Sequence, residues 1–450
     1  MGDKKSLIIS WVTWIVRICV GGLFIFSGFV KAIDPWGTLF KFDEYFSALG
    51  VNVWTDLKVV GVFGLCGLEF VTGVFILLGC FRKSWPWVAA FIMAFMLPLT
   101  LWIALESPVS DCGCFGDAWK LTNWQTFWKN VALSVGIIWL IIYDKKSHWL
   151  ITPALQWIAF VVSAIYIVII SLFGYVYQPL IDFRKFAIGN TLVSDYNSED
   201  EPEYLFVYER NGEQKEFSQN DELPDEAEGW KFVERREIKN QTTDSDTADG
   251  LIIFDKSNGE VVSDEAINNE GKELIIVMPD VSEVSPATTW KLNSLYEWSQ
   301  NNGVRMIALV SGNKEEIAEW EDLSLAAYPI YLADDTQLKE LVRGNPGVVY
   351  LLDGKVRWKS TLRAINIDDF LSPDTSHDAD NFDLDNESIL RNISYIYLIV
   401  MAVLVGLSFL SELKEIVAFI KERRNKRRAK FREFFRNQRE FKHDDKAPRE

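Results

Sequence analysis

The chain has 450 residues, of which 49% are hydrophobic and 24% charged, with 18 Trp and 30 Phe. That length allows two or three domains, and the apolar content excludes a wholly disordered chain. The net charge of −17 argues against a nucleic-acid-binding protein. The charge is unevenly distributed, because residues 181–390 carry 45 acidic and 19 basic side chains whereas residues 413–450 carry 7 acidic and 14 basic ones.

Six apolar stretches are long enough for helices that cross a bilayer, which requires about 20 residues. They cover roughly residues 8–30, 59–81, 85–105, 127–143, 150–177 and 393–411. Trp and Tyr cluster at their ends, as interfacial belts require. Buried helices of a large soluble protein are the disfavoured alternative, because short polar loops join the first five stretches. In the fifth, Thr152-Pro153 is expected in the first helical turn, where proline is tolerated.

Basic residues predict the orientation of these spans. They cluster before the first span, between the second and third, between the fourth and fifth, and after the sixth: Lys4-Lys5, Arg82-Lys83, Lys145-Lys146 and residues 421–436. Because basic loops stay in the cytoplasm, all four clusters agree with cytoplasmic termini and an exterior segment 178–390. The first span is long and has no small-residue cleavage site, so we expect it to be retained.

Two of the five cysteines indicate chemistry. Those inside apolar stretches are expected to be inert: Cys19, Cys66 and Cys80. Cys112 and Cys114 lie in the polar loop SPVSDCGCFGDAWKL, on the predicted exterior side, where disulfides persist. A Cys-Gly-Cys disulfide closes a very small ring, which Gly113 eases, and should be readily reduced. We predict that this pair is catalytic in thiol exchange; a structural staple is the open alternative.

Neighbouring charges leave the reactivity of this pair undecided. Asp111 and Asp117 would raise the thiol pKa, whereas Lys120 would lower it. A metal site is not favoured, because the chain has only three His and none lies near the loop.

Charged residues inside the apolar stretches are a second signal. Arg17 and Glu69 lie near the middle of the first and second spans. Since an ionised group there costs at least about 2.5–3.5 kcal/mol, each needs a partner, and we predict that they pair. The pair would be either a quinone site or proton path, or a bridge between helices. Lys31 and Glu106 are expected to line the outer mouth of the bundle.

The motif Arg17-x-x-x-Gly21-Gly22-x-Phe24-x-x-Ser27-Gly28-x-x-Lys31, followed by Gly67-x-Glu69-x-x-x-Gly73, resembles the DoxX family of four-helix membrane proteins. The segment DCGCFGD makes the resemblance closer to the MauE (methylamine-utilisation) branch. It covers roughly residues 8–145. It implies a membrane protein of thiol or sulfur redox chemistry: MauE-like proteins are associated with maturing periplasmic enzymes that need disulfides, and DoxX relatives with quinone-linked sulfur oxidation.

The exterior segment begins with short β-type runs and continues as alternating strands and helices from about residue 272. That order predicts an α/β sheet that closes with a hairpin at Asp353-Gly354. It resembles a thioredoxin-like domain, with Pro346 at the position of that family's cis-proline. Ser282 and Ser285 lie where the family's C-x-x-C would be, and no Cys follows residue 114. The domain is therefore expected to dock partners; an unrelated α/β domain is the alternative.

The predicted fold class is an α-helical membrane bundle, a four-helix DoxX/MauE-like core plus extra spans, with a soluble α/β thioredoxin-like domain. The predicted segments are the four-helix domain 1–148, fifth span 149–177, β-rich segment 178–265, thioredoxin-like domain 266–372, acidic tether 373–392, sixth span 393–411 and basic tail 412–450. The basic run 421–436 is expected to form a surface helix on anionic lipid.

These features together predict a multi-pass protein of a bacterial inner membrane with its large domain in the periplasm. It would exchange disulfides with an exterior protein partner, contact membrane lipid and bind no nucleic acid. No bound cofactor is expected, and whether a quinone near Arg17 and Glu69 accepts the electrons is left open. The rival interpretation is a non-catalytic scaffold with a structural Cys loop and an exterior binding domain.

Overall fold

A computed structural model describes residues 2–51, 53–107, 109, 112–143, 149–193, 204–210, 213–218, 231–237, 250–371 and 386–444. Only the backbone is described for residues 2–6, 204–210, 213–218, 231–237, 369, 371 and 431–444. Asp111, the Lys145-Lys146 pair and most of the predicted tether lie outside the described residues. The chain forms two compact units, Met1–Arg184 with Leu384–Glu450, and Lys185–Asp383.

The first unit is helical. Its helices are α1 (Gly2–Ile33), α2 (Pro35–Ala48), α3 (Thr55–Leu78), α4 (Trp85–Glu106), α5 (Asn123–Tyr143) and α6 (Gln156–Val176), with a last helix at Asn386–Asp444. All of them except α2 are long and apolar enough to cross a membrane, which gives six candidate spans among the described residues. The prediction of a multi-pass membrane protein is confirmed.

Helices α1 and α3 pack antiparallel at very short range, and this contact sets their register. A Cβ atom on Gly28 would lie 2.5 Å from the backbone nitrogen of Phe70, and one on Gly73 would lie 2.4 Å from that of Ile25. Small residues allow such close approach of helix backbones in membranes. Because these glycines fix which turns of the two helices face each other, they decide which buried polar groups can meet.

Two details of the first unit differ from expectation. Helix α2 was not predicted, although its signal is present: the Asp34 side chain accepts a hydrogen bond from the Gly37 amide at 3.0 Å, and Pro35 occupies the first helical position. The fifth span begins at Gln156, so Thr152-Pro153 lies in a turn before the helix and not in its first turn.

The second unit contains a mixed α/β sheet, as predicted. Its strands are β1 (Tyr204–Arg210), β2 (Glu213–Ser218), β3 (Lys231–Glu237), β4 (Ile253–Phe254), β5 (Lys272–Met278), β6 (Arg305–Val310), β7 (Ile330–Ala333), β8 (Gly347–Leu352) and β9 (Lys355–Thr361). Its helices are α7 (Ser263–Ala266), α8 (Thr289–Asn301), α9 (Lys314–Ser324), α10 (Asp335–Leu341) and α11 (Ile367–Leu371).

Strands β1 to β3 form an antiparallel sheet in the order β2-β1-β3, and the other six have the order β4-β7-β6-β5-β8-β9. Strand β5 is central, parallel to β6 and antiparallel to β8. Its side chains alternate between two apolar clusters, one with Leu292 of α8 and Ile317 of α9, the other with Leu338 of α10. Burial on both faces explains why β5 is a continuous apolar run.

The last helix, α12 (Asn386–Asp444), has 59 residues and is therefore about 88 Å long. It packs on α6, where the rings of Tyr166 and Tyr397 stack at 4.2 Å. The predicted sixth span is only part of this helix, and residues 386–392 of the predicted tether are its first turns. The basic run 421–436 continues the same helix, with exposed side chains through residue 430, and its contact with anionic lipid stays a prediction. No Gly or Pro follows Gly406 within α12 to interrupt it.

We expect Gly28→Ala to destabilise the membrane unit by about 1–3 kcal/mol, because the new methyl group would overlap backbone atoms of α3. Gly22→Ala is the matched control: it lies on the same helix and has no atom within 4 Å of its Cβ position. Thermal unfolding of the two detergent-solubilised variants measures the difference. Equal melting temperatures would contradict the close packing of α1 and α3.

The second unit contains a buried carboxyl group, Glu273 on β5. It accepts a hydrogen bond from the Asn268 amide at 2.9 Å and lies 3.1 Å from the Arg305 guanidinium. Burial outweighs both contacts and raises the pKa of Glu273 from 4.5 to about 7. The unfolded chain therefore releases this proton at lower pH than the folded one.

The contribution of Glu273 to the free energy of unfolding should consequently be largest below pH 4.5 and should fall between pH 4.5 and 7. Above pH 7 it should change no further. The total loss is on the order of 3 kcal/mol. Glu273→Gln should remove this slope, whereas the exposed Glu270→Gln should keep it. Thermal unfolding across pH 4–8 tests this; identical slopes in the two variants would contradict it.

Candidate functional site

The loop between α4 and α5 carries the two cysteines. The structure joins Cys112 and Cys114 in a disulfide, with their Cα atoms 5.4 Å apart. Gly113 between them has φ of +61°, a left-handed conformation that glycine adopts without strain. A side chain there would also meet Lys41 of α2, 2.9 Å from its Cγ. Glycine at position 113 thus allows both the backbone conformation of the disulfide ring and the close contact with Lys41.

Helices on two sides hold this loop through its backbone. The Tyr45 hydroxyl of α2 donates to the carbonyl oxygen of Cys112 at 2.8 Å. The Lys31 ammonium of α1 donates to the carbonyl oxygen of Cys114 at 2.8 Å. The disulfide is therefore fixed by α1 and α2, and Tyr45 is a site residue that the sequence did not indicate, because α2 was not predicted.

Lys31 is the centre of a buried polar cluster. Besides Cys114 it donates to Ser27 Oγ at 2.7 Å and to Glu69 Oε2 at 2.7 Å, which uses all three of its donors. Ser27 Oγ also lies 2.8 Å from both Glu69 Oε2 and the Cys114 carbonyl. The side chains of Lys31 and Glu69 are only 4% and 6% exposed. A buried charge pair persists when such further hydrogen bonds complete it.

The predicted pair of Arg17 with Glu69 is wrong, because Glu69 pairs with Lys31. The Arg17 guanidinium lies beside Gly79, where a Cβ atom would be 2.8 Å from its Nη1. Gly79 is ten residues beyond Glu69, or about 15 Å along α3. The antiparallel register fixed by Gly28 and Gly73 explains the error, because it aligns Arg17 with the C-terminal end of α3.

Arg17 has a different role from the one predicted. Its side chain is fully buried, and its guanidinium lies 5.2 Å from the centroid of the Trp14 ring. Gly79 is the left-handed C-cap of α3, where unpaired carbonyl groups concentrate negative charge. A cation at this position stabilises the helix end. Arg17 therefore contacts the end of α3, as a bridge between helices would, and a quinone or proton-path role for it stays a prediction.

The two residues predicted at the outer mouth of the bundle are not together. Lys31 lies in the buried cluster, as described. Glu106 is exposed at the end of α4 and accepts a hydrogen bond from Trp102 Nε1 of the same helix at 2.5 Å. Glu106 is therefore not brought to the disulfide.

A cavity of about 30 Å³ lies against the disulfide loop. Its polar lining comes from Ser27, Glu69, Cys114, Lys129 and Asn130, and its apolar lining includes Met93 and Met96 of α4. It has room for one or two water molecules. The polar pair on α5 was missed, although Lys129 and Asn130 interrupt an apolar stretch just as Arg17 and Glu69 do.

The half-buried Lys129 points its ammonium at the aromatic wall of the loop. Lys129 Nζ lies 4.1 Å from the centroid of the Phe115 ring, a cation–π contact. Phe115 in turn packs edge-on against Phe26 and stacks on Trp119. Next to it, Asn130 Nδ2 donates to Thr100 Oγ1 at 3.3 Å. Polar side chains of α1, α3, α4 and α5 thus lie at the same depth in the bundle as the cysteine loop.

This cavity does not fit a quinone. A benzene-sized ring occupies a cavity of about 150 Å³, far larger than this one. Arg17 does not line it either. Of the two residues predicted to hold a quinone, only Glu69 therefore lines this cavity, and quinone binding stays a prediction.

In the second unit, the three residues that were predicted to form a thioredoxin-like site without cysteines, Ser282, Ser285 and Pro346, lie at one end of the sheet. The loop after β5 holds Ser282, whose hydroxyl donates to Asp280 Oδ1 at 2.6 Å, and Ser285, whose hydroxyl accepts from the Ala287 amide. Asn345 Nδ2 donates to the Asp280 carbonyl at 2.6 Å, which brings Pro346 beside this loop. The Asn345-Pro346 peptide bond is cis.

Two of the three charged residues predicted to act on the thiols, Asp117 and Lys120, lie close together. Lys120 lies 3.9 Å from Asp117, and its side chain is 65% exposed. No group of three His, Cys, Asp or Glu side chains that could hold a metal ion occurs among the described residues.

Comparison with known proteins now bears on this site. Residues 9–143, which contain most of α1, the cysteine loop and all of the cavity lining, match the family model described as methylamine utilisation protein MauE. This part of the chain is MauE-like. Residues 202–240 match a model described as a domain of unknown function. Neither curated proteins nor solved structures gave a match.

The chain is thus a multi-pass membrane protein whose first 143 residues include a MauE-like segment. The MauE match supports the sequence resemblance over the first five helices. The DoxX relation and the thioredoxin-like character of the second unit stay predictions.

We expect Lys31→Met to destabilise the membrane unit by about 3–5 kcal/mol, because it leaves Glu69 buried without its cation. The double variant Lys31→Met, Glu69→Met should recover most of that loss, since neither charge then remains. Thermal unfolding of both single variants and the double variant in detergent measures the coupling. Additive losses would show that the two side chains do not interact.

Proposed function

We propose that the chain is a thiol–disulfide exchange protein that helps to mature an exterior protein. The observation that carries the proposal is the position of the disulfide, directly on the buried cluster of Lys31, Ser27 and Glu69. A bond between cysteines two residues apart adds little to a loop that Tyr45 and Lys31 already hold. A cation beside a cysteine favours the thiolate, which is the form that exchange requires.

The reaction needs no other oxidant than the disulfide itself. A partner thiolate attacks one sulfur of the pair, a new S–S bond forms, and the bond between Cys112 and Cys114 breaks with its electron pair on the other sulfur. A second partner thiolate then attacks the mixed disulfide and releases the reduced pair. The partner loses two electrons and two protons, and the pair gains them. The reverse sequence would reduce or isomerise a partner disulfide.

The second unit is proposed to recognise the partner. It contains no Cys, so it performs no exchange itself. The central β5 between parallel β6 and antiparallel β8, with helices after the strands, supports the thioredoxin-like interpretation. The excess of acidic residues in positions 181–390 favours a basic partner surface.

We further propose a bacterial inner membrane and a periplasmic second unit. Arg82 and Lys83 lie in the turn between α3 and α4, and the cysteine loop lies at the opposite end of α4. Because basic turns face the cytoplasm, the disulfide faces the exterior, where it can persist. The same rule places both ends of the described chain in the cytoplasm.

The experiment replaces each cysteine in turn in growing cells. Either cysteine could form the mixed disulfide with the partner, and the other would then resolve it. Cys114→Ser and Cys112→Ser each remove one of these two thiols, so at least one variant should accumulate a mixed disulfide. Cells are alkylated before lysis, and the adducts are separated on non-reducing gels. A membrane-impermeant thiol reagent added to whole cells should label the reduced pair.

Cys80→Ser is the matched control, since Cys80 is buried in the first unit and should trap nothing. Ser282→Ala with Ser285→Ala should leave exchange intact, because these hydroxyls carry no thiol chemistry. If neither cysteine variant traps a partner and both support maturation of exterior disulfide proteins, the loop is structural. The scaffold interpretation would then replace the proposed function.

A further inference from the structure

The two sulfurs of the disulfide have different surroundings. Cys114 lines the small cavity between α1, α3, α4 and α5, whereas Cys112 does not. The Cys112 backbone is instead bound by Tyr45 of α2, on the other side of the loop. When the bond between them breaks, an electron pair left on Cys114 is therefore on the cysteine that lines the cavity, whereas Cys112 is not among the lining residues.

The charges around the cavity favour an anion there. Lys31 on α1 and Lys129 on α5 are two cations, and among the described residues Glu69 on α3 is the only acidic side chain in the cavity lining. Helix α4 contributes apolar side chains, and Asp117 of the loop lies 3.9 Å from Lys120. Since Glu69 is engaged by Lys31, the charge of Lys129 is left for a new anion. Among the described residues no ion pair within 4.0 Å involves Lys129.

We propose that Cys114 is the leaving sulfur of the exchange reaction and that Lys129 is the residue that stabilises its thiolate, held in place by the Phe115 ring. This inference rests on the proposed function. The partner thiolate attacks Cys112, the bond between Cys112 and Cys114 breaks, and the electron pair stays on Cys114. The new charge is balanced by Lys129 in a space with room only for water. Lys129 is a positioning and electrostatic residue for this step.

A stabilised thiolate has two measurable consequences. The free Cys114 thiol should react with an alkylating reagent at lower pH than an ordinary thiol, and the pair should be a stronger oxidant because its reduced form is favoured. Both consequences depend on charge at position 129 and not on the shape of that side chain. Replacing a lysine whose role is only structural would change neither the pH at which Cys114 is alkylated nor the oxidant strength of the pair.

The test uses the full chain in detergent with Cys112→Ser, which leaves Cys114 free in the loop. Iodoacetamide alkylation of Cys114 is followed from pH 5 to 10. Lys129→Met and Lys129→Gln should each slow alkylation at pH 7 about tenfold and move the profile to higher pH. Lys129→Arg, which keeps the charge, should retain the alkylation rate and the pH profile of the chain with Lys129. The exposed Lys120→Met is the matched control and should change the rate less than twofold.

The second measurement titrates the intact pair against a glutathione redox buffer. Lys129→Met should make the disulfide easier to form and the pair a weaker oxidant than in Lys120→Met. The inference is overturned if Lys129→Met and Lys120→Met behave alike, or if Cys112 in a Cys114→Ser background is the thiol that responds to Lys129. Partner trapping in cells with Lys129 intact reports separately on the proposed function, so the two failures can be distinguished.

Discussion

The buried ion pair of Lys31 and Glu69 is the interaction on which the rest of the membrane unit depends. Removing two charges from water costs several kcal/mol for each ion, and the pair repays this only when every donor is used. Ser27 Oγ and the Cys114 carbonyl supply the two remaining acceptors of Lys31. The backbone of the cysteine loop is therefore part of the charge pair's environment. Stability of the bundle and the position of the disulfide are consequently linked through one ammonium group.

That pair exists because two glycines let α1 and α3 approach closely. With backbones in contact at Gly28 and Gly73, the residues that face each other are fixed to within a turn. One consequence is that Glu69 meets Ser27 and Lys31. The other is that Arg17 reaches the end of α3 at Gly79, where it complements helix carbonyl groups. Two buried cations on one helix thus have different roles, one at the disulfide and one at a helix end.

The sequence predicts those features that depend on local pattern. Apolar stretches gave the six spans, and the alternation of strands and helices gave the mixed sheet around β5. The cysteine loop was identified from composition and position alone. Partners across helices could not be predicted this way, because the choice between Arg17 and Lys31 for Glu69 depends on a register set by glycine contacts in three dimensions. Lys129 is the instructive omission: a polar residue in an apolar stretch was treated as a signal at Arg17 and Glu69 but not on α5.

The placement of cysteines constrains how the proposed function can be divided along the chain. No thiol follows Cys114, so the second unit, with its loop of Asp280, Ser282 and Ser285 beside Pro346, cannot accept electrons at a disulfide, and the proposal assigns it the selection of the partner. The disulfide can accept electrons, but the loop that carries it is short, so the proposal assigns it the exchange reaction and not the recognition of a protein. Under the proposed function the first unit therefore supplies the disulfide, and the second unit supplies the surface that selects the partner. Selection among exterior proteins would then change with substitutions in the second unit, while the rate of exchange with a small dithiol would respond only to residues around the cavity.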